Sequence, residues 1–293
     1  MHTAATERRF SDDDSAQKWS DMYAGEPDRL DQVKFRERRD LTVNHALRLL
    51  PPGGRVLDLG CGAAPVLSEL RRLGVPCTGL DLTEDMLRHA RQRLRAMNLD
   101  DGDLHQGDCR STPFADASFD VVVCLGVVSY VEDYGQVLAE IQRLLRPGGH
   151  AIISFRNRFN PILSDPVRLA RHVVKSLTGQ LKPEPYTIGR FMDPREFRAS
   201  LARHGLRVRD FHGLGYGPFR ISGHRVLSER MSIRMNAMLS RLFGVHGSGL
   251  PHRWLADVSF WVVERDTSTM SRRLHTSAST SLADSCAAAA MPS

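Results

Sequence analysis

The stretch Val56-Leu57-Asp58-Leu59-Gly60-Cys61-Gly62-Ala63-Ala64-Pro65 joins a short apolar run to a glycine-rich turn and a proline. An apolar run that ends in glycine indicates a buried strand followed by a sharp turn, because glycine tolerates backbone angles that other residues avoid. Proline suits the first position of a helix, where its missing N–H has no helical partner. The stretch therefore predicts a strand, a tight turn and a helix.

The same alternation of strand-like and helix-like segments continues along the chain. Strands are predicted over residues 54–59, 76–81, 103–107, 119–125, 150–155, 206–213 and 257–265, and helices over residues 65–73, 84–98, 133–145, 167–177, 193–204 and 226–243. This order predicts a doubly wound α/β fold with a mostly parallel, seven-stranded sheet and helices on both faces. In such folds ligands bind at the carboxyl ends of the strands.

The composition of the 293 residues is that of an ordinary globular protein, with 41% hydrophobic and 25% charged residues. The formal net charge of +6 is compatible with anionic substrates, nucleic acid or an acidic membrane surface and selects none of them. Five irregularly spaced cysteines without a C-x-x-C pair predict neither a disulfide framework nor a zinc site.

No apolar run has the length of a membrane span, and the N-terminal residues lack the apolar core of a secretory signal. We therefore expect a cytoplasmic protein. Composition predicts disorder over 1–15 and 266–293, and one domain over 16–265 that carries helical lid insertions at about 157–189 and 214–256.

Asp81 ends the second predicted strand, where a carboxylate can accept hydrogen bonds from both hydroxyls of a ribose. A dinucleotide site is the alternative, but its G-x-G-x-x-G pattern has Pro65 in place of the third glycine. Proline removes an N–H that a pyrophosphate would use, and Asp58 disfavours a nearby phosphate. Asp58 would suit a cation, and the turn is therefore a poor match for a dinucleotide.

The chain resembles the class I S-adenosylmethionine-dependent methyltransferases, specifically the small-molecule branch that is similar to methyltransferase types 11 and 25. The resemblance rests on D-L-G-C-G at 58–62 with Asp81, on G-D, P-F and F-D-V-V at 107–108, 113–114 and 119–122, and on L-L-R-P-G-G at 144–149. One departure is Ala64, which stands where the family usually has a third glycine.

The resemblance implies S-adenosyl-L-methionine as the cofactor. Its methionine part would lie against Gly60 and Gly62 with Asp58 near the amino group, and Asp81 would hold the ribose. The other implied cofactor-binding residues are Leu82, Met86, Asp108, Cys109 and Leu125. Similar enzymes use the segment before the sheet as a lid, which here would present Trp19, Tyr23 and the basic residues Arg36, Arg38 and Arg39.

Candidates for catalysis follow the fourth and fifth predicted strands: Tyr130 and Glu132, then Asn157 with its neighbour Arg156. A hydroxyl acceptor would benefit from a general base, and His172, His212 and His224 are further candidates for that role. No metal-ligating cluster is predicted.

The acceptor is predicted to be a small molecule. The [DNS]-P-P-[YF] stretch of amino-methylating nucleic-acid enzymes is absent after the fourth strand, and so is a Pro-Cys nucleophile. Basic amphipathic segments in both insertions, such as 230–243, could admit a lipid-like acceptor, rest on a membrane or simply pack as a lid. Whether O, N or C is methylated stays open, as does the oligomeric state. An RNA methyltransferase, a non-catalytic cofactor binder and a nicotinamide-dependent oxidoreductase remain alternatives.

Overall fold

The computed structural model describes residues 13–179, 189–243 and 254–266. Seven strands form one sheet in the order β3-β2-β1-β4-β5-β9-β6. Their bounds are β1 (Val56–Leu59), β2 (Cys77–Asp81), β3 (Leu104–Gln106), β4 (Phe119–Leu125), β5 (Leu145–Arg156), β6 (Leu206–Tyr216) and β9 (Ala256–Arg265). Strands β1 to β5 pair in parallel, and β9 runs antiparallel to both of its neighbours. The predicted mostly parallel, seven-stranded sheet is confirmed.

Helices cover both faces of the sheet. They are α1 (Asp13–Asp21), α2 (Leu30–Leu49), α3 (Pro65–Arg72), α4 (Glu84–Ala96), α5 (Tyr134–Leu144), α6 (Asn160–Leu163), α7 (Pro166–Leu177), α8 (Pro194–Arg203) and α9 (Glu229–Phe243). Residues of α5 and α8 join the core on one face, and residues of α2, α3 and α4 join the core on the other. The two-sided cover explains why β4 is apolar along most of its length.

Local sequence signals account for several helix boundaries. Pro65 occupies the first turn of α3, and the carboxylate of Asp193 accepts a hydrogen bond from the N–H of Arg195 at the start of α8. The helix predicted over 226–243 begins only at Glu229, because residues just before it form a small hairpin of β7 (Arg220–Ile221) and β8 (His224–Arg225). Two-residue strands are too short to leave a periodic signal in the sequence.

The two insertions contact each other through hydrogen bonds from backbone N–H groups. The carboxylate of Asp165, which begins α7, accepts hydrogen bonds from the N–H groups of Ser222 and Gly223 in the hairpin. The N–H of Arg220 donates to the carbonyl of Ser164. These bonds join residues that are more than fifty positions apart into one peripheral layer.

The segments predicted to be disordered fall largely outside the described residues. Helix α1 begins at Asp13, inside the N-terminal segment, and the N–H of Asp266 donates to the carbonyl of Gly205. Among the described helices, none combines the length and the apolar character that a membrane span requires.

Candidate functional site

A cavity of about 400 Å³ lies where the carboxyl ends of β1, β2 and β4 meet. This position is the edge of the sheet at which the alternating fold predicts a ligand. Its wall contains all nine residues that the sequence singles out for the cofactor: Asp58, Gly60, Gly62, Asp81, Leu82, Met86, Asp108, Cys109 and Leu125. The volume lies within the range of small-molecule sites.

The glycine turn needs the backbone freedom that its sequence supplies. Gly60 has a φ of 79°, and a Cβ there would lie 2.2 Å from Cγ2 of Val127. Gly62 has a φ of 53°, and a Cβ there would meet no atom within 4 Å. At Gly60 a larger side chain would clash with Val127. At Gly62 there is space for a side chain, and without one the backbone is accessible from the cavity.

Ala64 adopts the left-handed conformation that a third glycine would take, with φ 56° and ψ 42°. A side chain in this region costs on the order of 1 kcal/mol. The methyl group of Ala64 is fully buried, which contributes roughly 0.8 kcal/mol in the opposite direction. The two contributions nearly cancel, so alanine at this position adopts the left-handed conformation at little net cost.

Asp81 holds the turn and the second strand together. Its Oδ2 accepts a hydrogen bond from the N–H of Gly62 at 2.8 Å, and its Oδ1 accepts from the N–H of Thr83 at 3.2 Å. Burial raises the pKa of this carboxyl group, and these backbone bonds act in the opposite direction. Oδ1 also accepts from the hydroxyl of Thr83 at 3.5 Å, whereas Oδ2 keeps a second lone pair that can accept from a neighbouring diol.

Asp58 is a second buried carboxyl group in the wall, with only 3% of its surface exposed. Burial and the nearby charge of Asp81 raise its pKa to about 7, while the charge of Arg38 opposes that shift. A positive ligand group at this position would favour the ionised form of Asp58. The wall therefore combines two carboxyl groups that a cation would help to ionise.

Asp108 forms an ion pair with Arg110, two residues further along the chain. Nε of Arg110 donates to Oδ1 of Asp108 at 3.0 Å, and Nη2 donates to Oδ2 at 2.5 Å. Despite opposing desolvation, these bonds hold the pKa of Asp108 below its usual value. An arginine two positions after the aspartate is the feature of the sequence that could have predicted this ion pair. Both residues line the cavity, so a ligand that contacts Asp108 would also lie next to Arg110.

The segment before the sheet contributes Trp19, Tyr23 and Arg38 to the wall. Nη2 of Arg38 donates to the hydroxyl of Tyr23 at 3.3 Å, and a Cβ at Gly126 would lie 3.4 Å from its Nη1. Nε of Arg38 is buried and has no hydrogen-bond partner among the described residues. A buried guanidinium donor beside a cavity is suited to an anionic ligand group such as a carboxylate.

The predicted catalytic residues divide into two groups. Tyr130 and Glu132 line the cavity after β4. Asn157 is fully buried and does not belong to the lining; its Nδ2 donates to the carbonyl of Ala256 at 3.0 Å, and its Oδ1 accepts from the N–H of Phe159. Asn157 thus connects the end of β5 to the start of β9.

The remaining basic candidates and the described insertion residues do not line the cavity, although Gly189, at the end of the first insertion, donates its N–H to the carbonyl of Ser129, next to Tyr130. His172, His212, His224 and Arg156 do not belong to the cavity lining. The same holds for the described residues of the two insertions, 157–179, 189, 214–243 and 254–256. In the described part of the chain, the leader segment contributes side chains to this lining and the insertions do not.

The residues of the wall fit an adenosyl sulfonium. Asp81 offers acceptors to a ribose, Leu82 and Met86 offer an apolar surface to adenine, and the bare backbone at Gly62 allows close approach. Nε of Arg38 matches the carboxylate of a methionine group, and Asp58 matches its ammonium. The fit rests on this Nε donor, which has no hydrogen-bond partner among the described residues, and on Oδ2 of Asp81, which has a lone pair left for a ligand.

Comparison with known proteins agrees with this geometry. A family profile described as a methyltransferase domain matches residues 57–153. Ubiquinone biosynthesis O-methyltransferase of Xanthomonas axonopodis pv. citri is 30% identical over 226 residues, which cover 74% of this chain and 83% of the relative. The enzyme of the same description from Xanthomonas campestris pv. campestris matches over the same shares.

Solved structures share the fold at lower identity. Magnesium protoporphyrin IX methyltransferase of Synechocystis, solved with bound S-adenosylhomocysteine, superposes with a TM-score of 0.59 at 15% identity, covering 91% of this chain and 100% of that one. The [4+2]-cyclase SpnF superposes with a TM-score of 0.51 at 17% identity, covering 78% of this chain and 79% of that one. At these identities the likeness concerns the fold alone.

Proposed function

The chain belongs to the class I S-adenosylmethionine-dependent methyltransferases, and from this premise we propose that it methylates an oxygen atom of a small, amphipathic acceptor. The choice of oxygen is supported by the relatives described as ubiquinone biosynthesis O-methyltransferases. The choice of an amphipathic acceptor is supported by the same description and by the apolar wall of the cavity. An alkylated phenol has both properties.

The observation that carries the proposal is the position of Tyr130 and Glu132 in the cavity wall after β4. When bound, S-adenosylmethionine supplies an electrophilic methyl group on a positively charged sulfur. Glu132 as its carboxylate, or Tyr130 as its phenolate, would accept the proton of an acceptor hydroxyl as that hydroxyl becomes a nucleophile. The leader residues Trp19 and Tyr23 would exclude water, and alignment of the two reactants would provide much of the rate.

The test is transfer of labelled methyl groups. Protein incubated with methyl-labelled S-adenosylmethionine and host lysate should label a product in the lipid fraction, and an alkylated phenol should serve as a defined acceptor. Glu132→Gln and Tyr130→Phe should reduce kcat by about 10²-fold or more if the changed residue is the base, with little change in cofactor affinity. Glu196→Gln, which changes an exposed carboxylate on α8, is the matched control.

Other outcomes would assign the other functions. Label in RNA, with binding that weakens steeply as salt rises, would favour an RNA methyltransferase. Cofactor binding without any labelled product would favour a non-catalytic binder. Either result would contradict the acceptor proposed for this site but not the family.

The proposal includes contact between α7 and an anionic membrane surface, from which an amphipathic acceptor would enter. No residue of α7 is buried, and Val173, Val174 and Leu177 are 46%, 59% and 82% exposed. Arg171 and Lys175 of the same helix are also exposed. Exposed apolar and basic side chains on one helix are typical of an interfacial helix.

Vesicle sedimentation tests this contact. The protein should bind vesicles that contain phosphatidylglycerol more tightly than vesicles of phosphatidylcholine alone. The double variant Val174→Glu/Leu177→Glu should weaken binding at least tenfold, whereas Leu73→Glu, at a side chain 46% exposed at the end of α3, should not. Equal binding by both variants would contradict the contact while leaving the methyl transfer untouched.

The cytoplasmic location expected from the sequence remains part of the proposal. The described cysteines Cys61, Cys77, Cys109 and Cys124 are free thiols. Burial raises the pKa of the Cys61 and Cys77 thiols well above their ordinary value, which disfavours oxidation. Their state agrees with a reducing compartment.

A further inference from the structure

Two histidines and an aspartate that are distant in sequence converge outside the cofactor cavity. Nε2 of His45 on α2 lies 3.0 Å from Nε2 of His212 on β6, and Nε2 of His212 lies 3.0 Å from Oδ2 of Asp210. One ligating atom from each of the three residues lies within 4.8 Å of the other two. From this geometry we infer that His45, Asp210 and His212 bind a divalent transition-metal ion, with zinc as the ion of choice.

Hydrogen bonding accounts poorly for the two short contacts. Both converge on Nε2 of His212, and a ring nitrogen has one in-plane position, which holds either a proton or a lone pair. It can therefore not donate to Asp210 and accept from His45 at the same time. A cation between the three atoms satisfies all of them, because each would direct a lone pair toward a common centre.

The two separations of 3.0 Å, from His212 to His45 and from His212 to Asp210, agree with shared coordination. Zinc binds imidazole nitrogen and carboxylate oxygen at about 2.0–2.2 Å, so two ligands at ordinary angles lie roughly 3 Å apart. Two imidazoles with one carboxylate form a donor set that suits zinc and related divalent transition metals, not calcium or magnesium. Asp210 has 43% of its side chain exposed, which leaves a coordination position open to water.

The fold holds the three ligands in place through its own contacts. Oδ1 of Asp210 accepts a hydrogen bond from the N–H of Phe211 at 2.8 Å, which directs Oδ2 toward His212. The rings of His45 and His212 both pack against Phe260, with centroid distances of 5.8 and 5.7 Å. His212 is only 2% exposed. A set of oriented ligands is what a metal site requires.

A bulge in β6 places the two strand ligands on the correct face of the sheet. Val208 pairs with Val263 and Asp210 pairs with Val262, so one extra residue separates the two pairs. Because side chains alternate along a strand, the extra residue moves Asp210 and His212 to the face covered by α2. Without the bulge, neither residue would face His45.

The site would connect the edge strand to the helix that carries Arg38. Arg38 lies seven residues before His45 on α2, which corresponds to about 10 Å along the helix axis. The ion would therefore stabilise the position of a helix that forms part of the cofactor cavity. None of the three ligands lines that cavity, so the role is structural rather than catalytic.

The experiment uses the full-length protein without a histidine tag, stripped of metal by a chelator. Zinc titration by calorimetry should give one equivalent, and cobalt should give d–d absorption bands without a thiolate charge-transfer band. Asp210→Asn and His45→Gln should each weaken zinc binding more than tenfold. His224→Gln, which changes an exposed histidine of the hairpin, should leave it unchanged.

A thermal melt provides the second readout. Zinc should raise the melting temperature of the parent and the His224→Gln control but not of Asp210→Asn. The proposal would be overturned by the absence of saturable binding at one equivalent, by equal binding in parent and Asp210→Asn, or by a thiolate band that assigns the metal to cysteine.

Discussion

The N–H of Gly62 donates to the carboxylate of Asp81, with 2.8 Å between the nitrogen and Oδ2. This bond joins the turn after β1 to the end of β2, so the two elements that would contact the cofactor form one unit. A change at Asp81 would therefore affect both the acceptor groups for a ribose and the position of the turn.

Asp81→Ala is expected to weaken binding of S-adenosylhomocysteine and of 5′-methylthioadenosine by about 10–100-fold, because both ligands carry the ribose. A hydrogen bond to a charged group contributes about 1.5–3 kcal/mol, and each 1.4 kcal/mol is a factor of about ten. Calorimetric titration of both ligands is the measurement. Asp100→Asn, at a side chain 85% exposed, is the control and should bind like the parent. If Asp81→Ala bound both ligands as tightly as the parent, the Asp81 carboxylate would not be the group that binds the ribose.

Arg38→Ala should separate the two ligands. S-adenosylhomocysteine carries an amino-acid carboxylate and 5′-methylthioadenosine does not, so only the former should lose about tenfold or more in affinity. The same titrations measure both values. An equal loss for both ligands would indicate that Arg38 supports the cavity wall and does not bind a carboxylate.

Asp58 is expected to make binding dependent on pH. Its pKa of about 7 in the folded protein means that it loses its proton between pH 6 and 8, and an ammonium group binds the ionised form. Affinity for S-adenosylhomocysteine should therefore rise over this range in the parent and less in Asp58→Asn. Affinity for 5′-methylthioadenosine, which lacks the ammonium, provides the control. Parallel pH profiles for parent and variant would contradict the assignment.

The same carboxyl group should influence stability with a definite sign. The ordinary pKa of an aspartate is 3.8, and the pKa of Asp58 in the folded protein is about 7. Between these two pH values the folded protein binds more protons at Asp58 than the unfolded chain does. The free energy of unfolding should therefore fall as pH rises through this window, by on the order of 4 kcal/mol at most. Denaturant unfolding of parent and Asp58→Asn at pH 5 and pH 8 isolates this contribution. The prediction would be contradicted if the parent became more stable, relative to Asp58→Asn, between pH 5 and pH 8.

Lys34 and Asp257 form a buried ion pair that should be important for stability. Nζ of Lys34 lies 2.6 Å from Oδ2 of Asp257, and the two side chains are 5% and 7% exposed. Asp257→Ala should lower the free energy of unfolding by about 3–5 kcal/mol, because it leaves a buried ammonium with Asp31 as its remaining ion-pair partner among the described residues. Denaturant unfolding measures this change.

The double variant Lys34→Met/Asp257→Ala should recover much of that loss, since it removes both charges. Asp28→Ala, at a side chain 82% exposed, should change stability by less than about 0.5 kcal/mol. A double variant no more stable than Asp257→Ala would show that the ammonium is not the source of the loss.

Much of the fold and of the cofactor wall could be predicted because the signals are local. The uninterrupted apolar run Phe119–Leu125 indicates a strand covered on both faces, and it forms β4. The glycine turn before Pro65 and the carboxylate of Asp81 could be identified as candidate ligand contacts because each directly follows or ends a predicted strand. The hairpin before α9 was not predicted because each of its strands has two residues.

Other features depend on how distant segments pack. Asn157 was predicted to act in catalysis from its place after a strand, but its burial against Ala256 depends on the antiparallel strand β9. The sequence named both the leader segment and the insertions as possible covers; the leader supplies Trp19, Tyr23 and Arg38 to the cavity wall, and none of the described insertion residues belongs to that wall. Sequence order alone does not determine which segment lies over a given edge of the sheet.

The order of strands and helices and the glycine turn could be predicted from the sequence because each depends on residues close together along the chain, and the resemblance of four motifs to a known family implied the cofactor. The contact between His45 and His212, which are 167 positions apart, could not be predicted from the sequence. It depends on α2 packing against an edge strand and on one bulged residue that reverses the alternation of β6. Which face of the sheet a side chain occupies, and which residues it approaches, are decided by the folded sheet. An extra residue in a strand reverses the alternation of side chains after it, so the sequence pattern alone does not give the face.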